Sequence, residues 1–486
     1  MTGSRRNRLT RPAALTATAA LTLAACSGGG NVNEQPRSNV GVQLFQFSWN
    51  SVAEQCTTTL GPAGYDWVLV TPPQEHILGE EWWTNYQPVS YQVESRSGPR
   101  AEFEAMTAAC NDAGVRVVAD AVVNHMAGIE EGTGWAGSEF THYEYPGIYG
   151  YDDFHHCGLT PGDDIVNYGD QAQVQTCELV NLADLATGTE HVRETLRTYL
   201  QDLLSLGVGG FRIDAAKHMA PEDVAAIVEG LPEETLIIQE VIRASGEPIT
   251  PEQYLGNGPV FEFSYMSDIQ GIPKGSSWNT FLRMGTGTGY VPSDAAVPFV
   301  TNHDTERNSQ AMTYREGARY QLATVLMILH GYGSPMVYSG YAFSGRDDGP
   351  PQDAEGRLKD AVCVEGWEAE DGEFVCAHTW PLVNAAVRFD AVAGDAPLVE
   401  QFQDRSVLAV SRGGAFALVN RDDDEAGLTV TVPTGLPAGE YCDLGSGQDC
   451  ATTVTVGESG AAEISVGPMT AVIITEADLA KLPPQR

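Results

Sequence analysis

Gly210-Phe211-Arg212-Ile213-Asp214-Ala215-Ala216-Lys217-His218 reads as a short buried strand that runs into a cluster of charge. Side chains on a strand alternate between faces, so Arg212 and Asp214 point one way and Phe211 and Ile213 the other. An Arg beside an Asp favours the ionised carboxylate. A carboxylate kept ionised at a strand end suits nucleophilic catalysis by Asp. It equally suits a structural Arg–Asp pair, so the stretch has to be read with its neighbours.

Similar apolar runs lie on both sides of it. Gly41–Phe47, Trp67–Val70 and Val115–Asp120 precede it; Thr235–Glu240, Val260–Phe263, Val297–Thr301 and Ser334–Tyr338 follow. Helical stretches separate several of them. Between about Thr189 and Leu206, residues Val192, Leu196, Tyr199, Leu200, Leu203 and Leu204 recur at helical spacing. Thr187 or Thr189 can cap that helix, and Gly207 fits its stop. Eight strands alternating with helices predict an α/β fold, a (β/α)8 TIM barrel.

Two regions break this rhythm. Residues 126–180 show no helical repeat and are rich in Gly, Tyr, His and Asp. So long a structureless loop does not suit a compact barrel, so an inserted irregular domain is expected after strand three. From about residue 391 the texture becomes short strands separated by Gly and Pro turns. That predicts a C-terminal all-β antiparallel sandwich over 391–486. The barrel then takes 40–125 and 181–390.

The N-terminus reads as a targeting segment. Arg5, Arg6, Arg8 and Arg11 precede an apolar run from Ala13 to Ala25, the pattern of a signal peptide over 1–25. Leu23-Ala24-Ala25-Cys26-Ser27 resembles the lipobox of bacterial lipoproteins, which makes Cys26 a lipidation site; an ordinary signal with an incidental Cys is the alternative. Residues 26–39 look like a tether.

The 486 residues carry 65 Asp+Glu against 27 Lys+Arg, a net charge of −38, which argues against nucleic acid or an anionic membrane surface as partner. A lipid anchor would be the only membrane contact, and the protein is expected to be a monomer. Setting Cys26 aside from nine cysteines leaves an even eight, as in exported disulfide-bonded proteins. Eight allow 105 pairings, and spacing does not choose among them. None has the CxxC spacing of a zinc site.

Catalytic groups of such barrels sit at the C-terminal ends of the strands. Those ends read Asp120-Ala-Val-Val-Asn124-His125, Arg212-Ile-Asp214 with Lys217-His218, Glu240, and Asn302-His303-Asp304. Three carboxylates, Asp214, Glu240 and Asp304, therefore converge on one mouth.

Together these motifs resemble the four signature regions of the α-amylase superfamily of glycoside hydrolases. Leu182-Ala183-Asp184-Leu185 and Trp82-Trp83-Thr84-Asn85-Tyr86-Gln87-Pro88 resemble motifs of its animal and streptomycete members. The resemblance covers roughly residues 40 to 480. It implies an exported, endo-acting hydrolase of α-1,4-glucosidic bonds in starch or glycogen that retains anomeric configuration. Asp214 would be the nucleophile, Glu240 the general acid and then base, and Asp304 a substrate-binding stabiliser of the transition state. His125 and His303 would bond sugar hydroxyls, and Arg212 would keep Asp214 charged. Lys217 and His218 would line the leaving-group side. Trp83, Tyr86 and Gln87 would contact substrate, with Trp82 packed in the core.

The resemblance also implies a structural Ca²⁺ held by side-chain oxygens of Asn124 and Asp184 and main-chain carbonyls of Gln175 and His218. It selects the disulfides Cys56–Cys110, Cys157–Cys177, Cys363–Cys376 and Cys442–Cys450. Animal members bind chloride through two Arg and an Asn; Arg212 and Asn302 match two of these, but Met336 stands at the third, so activity without chloride is expected. A maltooligosaccharide-forming or transglycosylating relative is the alternative enzyme. A catalytically silent glucan-binding protein would need a missing carboxylate, and all three are present.

Overall fold

The structure, a computed structural model, describes residues 37–479 apart from 425, 448 and 449. The expected signal peptide, Cys26 and nearly all of the tether lie outside the described residues.

Eight parallel strands form the central sheet: β1 (Gly41–Leu44), β2 (Trp67–Val70), β3 (Arg116–Ala121), β4 (Gly210–Ile213), β5 (Leu236–Gln239), β6 (Val260–Glu262), β7 (Ala296–Pro298) and β8 (Met336–Tyr341). They pair in the order β7-β6-β5-β4-β3-β2-β1-β8. A parallel bridge from Phe299 to Met336 joins the two outer strands and curls the sheet into a barrel. All eight expected strands are present, most of them shorter than the apolar runs. Phe45–Phe47 leave the ladder at the mouth, and Phe263 opens the helix Phe263–Ile269, whose Ser264 N–H the Glu262 carboxylate caps.

The period-two alternation of the strands splits their apolar side chains into two sets. Trp67, Leu69, Val118, Ile238, Phe261 and Met336 fill the barrel interior. Val68, Val70, Val117, Phe211, Ile213 and Val337 face outward into the main core with the surrounding helices. This is the layering that a filled (β/α)8 barrel requires. Gly41 leaves room for Trp67, since a Cβ there would sit 2.0 Å from the indole. The expected helix is Glu190–Ser205, and it buries Val192, Leu196, Tyr199, Leu200 and Leu203. Leu204 is only half-buried, and Thr189 sits at the N-cap with its hydroxyl donating back to Ala186 O at 2.9 Å instead of capping the helix.

The stretch 126–180 is not wholly irregular. It holds a hairpin of Glu131–Thr133 with Glu139–Thr141 and a short helix, Gln171–Thr176, capped by Asp170. Six residues are too few to show a helical repeat. The Cys157–Cys177 disulfide closes this region, and Cys56–Cys110, Cys363–Cys376 and Cys442–Cys450 are bonded as expected.

The helix Pro381–Ala393 runs past residue 391, and the C-terminal strands start at Val399. A four-stranded antiparallel sheet and two two-stranded sheets follow. Alternation works here too. Leu408, Val410, Ala417, Val419 and Ile473 join the main core, while Val407, Ala409, Phe416, Leu418 and Ile474 make a second core with Val432, Tyr441 and Ile464. Three strands of the four-stranded sheet, Val407–Arg412, Ala415–Asn420 and Thr470–Thr475, are thus buried on both faces, while its edge strand Val399–Gln403 stays largely open. A buried ion pair, Arg412 Nη1 to Asp390 Oδ1 at 2.9 Å, ties the sheet to the preceding helix.

Candidate active site

The C-terminal ends of β3, β4 and β5 place one cation under three carboxylates. Register sets Asp120 beside Arg212, and the next residue inward after Arg212 is Asp214. Arg212 Nη1 donates to Asp120 Oδ1 at 2.8 Å and also to Asp214 Oδ1, while Nη2 lies 3.0 Å from Glu240 Oε2. Arg212 is only 1 % exposed. Burial alone would lower its pKa, but Asp120, Glu240 and Asp214 outweigh burial and hold it well above the ordinary value.

The chain turns sharply after Asp214. Ala215 sits in the left-handed region at φ 49°, a strained position for a residue with a Cβ. That turn aims the Ala215 N–H at Glu240 Oε2, 3.1 Å away. The Glu240 N–H in turn donates to Ile213 O at 3.1 Å, and the Asp214 N–H to Ala121 O at 3.0 Å. Strained backbone here serves to hold two carboxylates on neighbouring strands.

The protonation states separate. Burial and then the Asp214 charge push the Glu240 carboxyl up, against the pull of Arg212. Burial pushes Asp120 up to about 7, with Arg212 and the Tyr86 hydroxyl opposing. Burial and Glu240 push Asp304 up as well, although its side chain is 42 % open to the cleft, so solvent tempers the rise. Burial holds His125 and His303 below the ordinary imidazole value and takes His218 down to about 4. The three rings are therefore neutral at pH 7. Which ring nitrogen carries the proton follows from its partners: His125 Nε2 faces Tyr86 O at 3.0 Å and so donates.

These groups line one cleft of about 520 Å³. Asp214, Glu240 and Asp304 share it with His125, His303 and the aromatic wall of Trp82, Trp83 and Tyr86. Tyr86 stacks on His303 at 5.1 Å, and His303 stacks on Phe45 at 4.8 Å. Gln43 Nε2 lies 3.0 Å from His303 Nδ1 and orients the ring. Lys217, His218, Tyr168, Ile242 and Glu247 form the opposite side. Lys217 pairs with Glu247, and its ammonium lies over the Tyr168 ring.

Two expected contacts fall outside the lining. Arg212 lies beneath the floor, where it acts through the carboxylates. Gln87 Oε1 instead accepts the Gly128 N–H at 2.9 Å. Trp82, expected in the core, packs on it with one side and lines the cleft with the other; its indole N–H donates to Arg346 O at 3.0 Å. Tyr168, Ile242, Glu247 and Val180 were not foreseen. No local pattern marks them, because each meets the cleft through a loop.

Of the expected cation ligands, Asn124 and Asp184 lie on adjoining segments. An antiparallel bridge between His125 and Asp184 runs Asn124 next to the 182–185 segment, and the Leu185 N–H donates to Asn124 O at 3.0 Å. The His218 ring meets Val174 O at 3.1 Å, which brings the end of the Gln171–Thr176 helix against His218. Asn124 Oδ1 is buried with no hydrogen-bond partner. Asp184 is pushed up to about 7 by burial, although His155 Nδ1 sits 2.7 Å from it. An orphaned amide oxygen beside a desolvated carboxylate suits a hard cation that takes oxygen ligands. Among the described residues no group of three or more His, Cys, Asp or Glu is arranged to hold a metal; the set here has one carboxylate and relies on neutral oxygens. At the three chloride positions, Met336 lies in the apolar interior and Asn302 Oδ1 accepts the Thr305 N–H and hydroxyl.

Comparison with known proteins agrees with this geometry. The family described as "Alpha amylase, catalytic domain" matches residues 81–259, and "Alpha amylase, C-terminal all-beta domain" matches 401–476. An alpha-amylase of Streptomyces violaceus is 42 % identical over 93 % of this chain and 76 % of its own. One from Tenebrio molitor is 39 % identical over 88 % of this chain and 94 % of its own. A solved mutant of alpha-amylase I from Eisenia fetida, in complex with maltohexaose, superposes with a TM-score of 0.84 at 31 % identity, covering 91 % of this chain and 98 % of that one. With relatives from animals and a streptomycete that match about nine-tenths of its length at 31–42 % identity, this chain belongs to the α-amylase family.

Proposed function

We propose that this protein is an exported α-amylase that hydrolyses internal α-1,4-glucosidic bonds of starch, glycogen and related α-glucans. One observation carries the reading: Asp214 and Glu240 sit on the two terminal nitrogens of one guanidinium, at the floor of an open cleft that also holds Asp304. Carboxyls that share one guanidinium are close neighbours, as the roughly 5 Å of a retaining glycosidase requires.

The chemistry follows from their different environments. Glu240, pushed up, holds a proton and passes it to the glycosidic oxygen as the C–O bond breaks. Asp214, paired with Arg212, attacks the anomeric carbon on the opposite face and forms a glycosyl ester. Glu240, now ionised, takes a proton from water, whose oxygen displaces Asp214 and completes retention. Asp304 and the neutral His125 and His303 bond sugar hydroxyls. Trp82, Trp83 and Tyr86 offer flat apolar area to sugar rings.

Asn124 and Asp184, with the carbonyls of Gln175 and His218, would hold Ca²⁺. The ion would fasten the 126–180 region beside Asp214 and supply stability rather than reaction chemistry. Activity is proposed to need no chloride. Four disulfides suit an oxidising, extracellular setting, and lipidation at Cys26 would hold the protein, as a monomer, at the cell surface. No nucleic-acid partner is proposed.

Replacing Glu240 by Gln tests the reading. Starch hydrolysis should fall by about 10³-fold or more, with circular dichroism unchanged. A variant as active as wild type would sink the assignment.

A further inference from the structure

A second aromatic surface lies outside the cleft. Trp135 stands at the tip of the Glu131–Thr133/Glu139–Thr141 hairpin and lines two surface grooves of about 800 and 550 Å³. Both grooves also include Leu78 and Glu355, so they adjoin across the indole. The active-site chemistry uses none of these residues.

The tip is held rigidly. The Trp135 N–H donates to His76 O at 2.9 Å. The Ala136 and Ser138 N–H groups donate to Glu75 Oε1 at 2.8 and 3.1 Å. Glu75 is fully buried, and its other oxygen takes the Ser90 hydroxyl at 2.5 Å. The indole stacks on the buried His76 ring at 5.6 Å and packs by its edge against Gly356, where a Cβ would come within 3.3 Å. An aromatic side chain is thus fixed in orientation while half-exposed. Beside it Leu78 is 57 % exposed.

Large apolar groups held open to water cost free energy, and such patches mark binding surfaces. The polar neighbours indicate the kind of ligand. Glu94, Glu355 and Arg357 line the grooves, and their side chains make no ion pair or hydrogen bond among the described residues. A preset flat ring flanked by free acceptors and donors of both signs suits a hydroxyl-rich sugar with apolar C–H faces. Mixed signs do not select an anion or a cation.

The grooves also adjoin the cleft along the chain. Leu78, Gly79 and Glu80 border the smaller groove, while Trp82, Trp83 and Tyr86 border the cleft. The four residues from Leu78 to Trp82 span at most ~14 Å. Gln352 Nε2 to Glu80 O at 2.9 Å and Arg96 Nη2 to Glu81 O at 2.7 Å hold this segment in place. We propose that the Trp135 grooves form a second binding site for α-glucan, which holds a stretch of polysaccharide outside the cleft. This rests on the α-glucan reading of the cleft. A polymer bound at both places gains avidity without any new contact at the carboxylates. A short oligosaccharide that fills only the cleft does not sense the second site.

Adsorption to insoluble starch granules tests this, with the full chain carrying Glu240→Gln so that granules persist. Adding Trp135→Ala or Leu78→Ser should weaken granule binding by about 3–10-fold through lost avidity, while Trp135→Phe stays near the parent. In the active enzyme the same three changes should leave kcat/KM on a short maltooligosaccharide within about twofold of wild type. Unchanged granule binding by Trp135→Ala and Leu78→Ser would overturn the second site alone. An equal loss on the short substrate would also overturn it, because the effect would then belong to the cleft. Wild type inert on both short and long glucans would overturn the α-glucan reading and this site with it.

Discussion

Arg212 Nη2 lies 3.0 Å from Glu240 Oε2, while Nη1 of the same guanidinium holds Asp120 and Asp214. Lysine is a point charge and cannot span these positions. Arg212→Lys should lower kcat by about 10²-fold with the fold retained, as near-attack geometry is lost. Arg212 also opposes the upward push on Glu240. Weakening that hold should raise the Glu240 pKa further and move the alkaline limb of the kcat profile to higher pH. An alkaline limb left in place, measured across pH 5 to 10, would refute the arginine's role.

Trp82 meets Tyr86 and His303 edge-on, at 6.0 and 5.6 Å, and lines the cleft. Trp82→Ala should cost about 1–2 kcal/mol of transition-state binding, or roughly 5–30-fold in kcat/KM on soluble starch. Steady-state kinetics indistinguishable from wild type would return Trp82 to a purely packing role.

Chelation should destabilise the protein before it affects chemistry. Removing Ca²⁺ should lower the melting temperature by several degrees, on the order of 2–4 °C per kcal/mol for a domain of this class. Asn124→Ala should abolish the Ca²⁺-dependent part of that shift, read by calorimetry with and without chelator. A melting curve insensitive to chelation would count against the ion. Added chloride should leave the activity of exhaustively dialysed enzyme unchanged.

Glu306 is buried, accepts the Tyr338 hydroxyl at 2.6 Å and lies 3.6 Å from Arg307 Nη1. Burial takes its pKa from 4.5 up to about 7, against Arg307, the Tyr338 hydroxyl and Arg315. The native state then holds a proton that the unfolded chain has released. That stabilisation is full below about pH 4.5 and is lost as pH rises through 7. Glu306→Gln removes the dependence. Its stability relative to wild type, from urea midpoints with Ca²⁺ present, should improve by about 1–3 kcal/mol between pH 4.5 and pH 8. Parallel pH profiles for the two proteins would contradict the raised pKa.

Much of the site is legible because strands are local. A period of two placed Arg212 and Asp214 on one face, and the strand ends named Glu240 and Asp304 as their partners. The eight strands and the helix Glu190–Ser205 follow from apolar spacing alone. The short helix Gln171–Thr176 does not, since so few residues show no repeat. The disulfide pairs came from family resemblance, not from spacing.

What the sequence by itself determined is which side chains stand at the strand ends, because alternation and the barrel rule act over a few residues. The tertiary structure decided which of them share a partner. Arg212 reaches under three carboxylates only because register sets β3, β4 and β5 side by side. Glu247 finds Lys217 across 30 residues, and Trp82 turns from the core to the cleft because its loop is held by Arg346 and Arg96. Such contacts depend on loop closure and packing over long separations, and no local period encodes them.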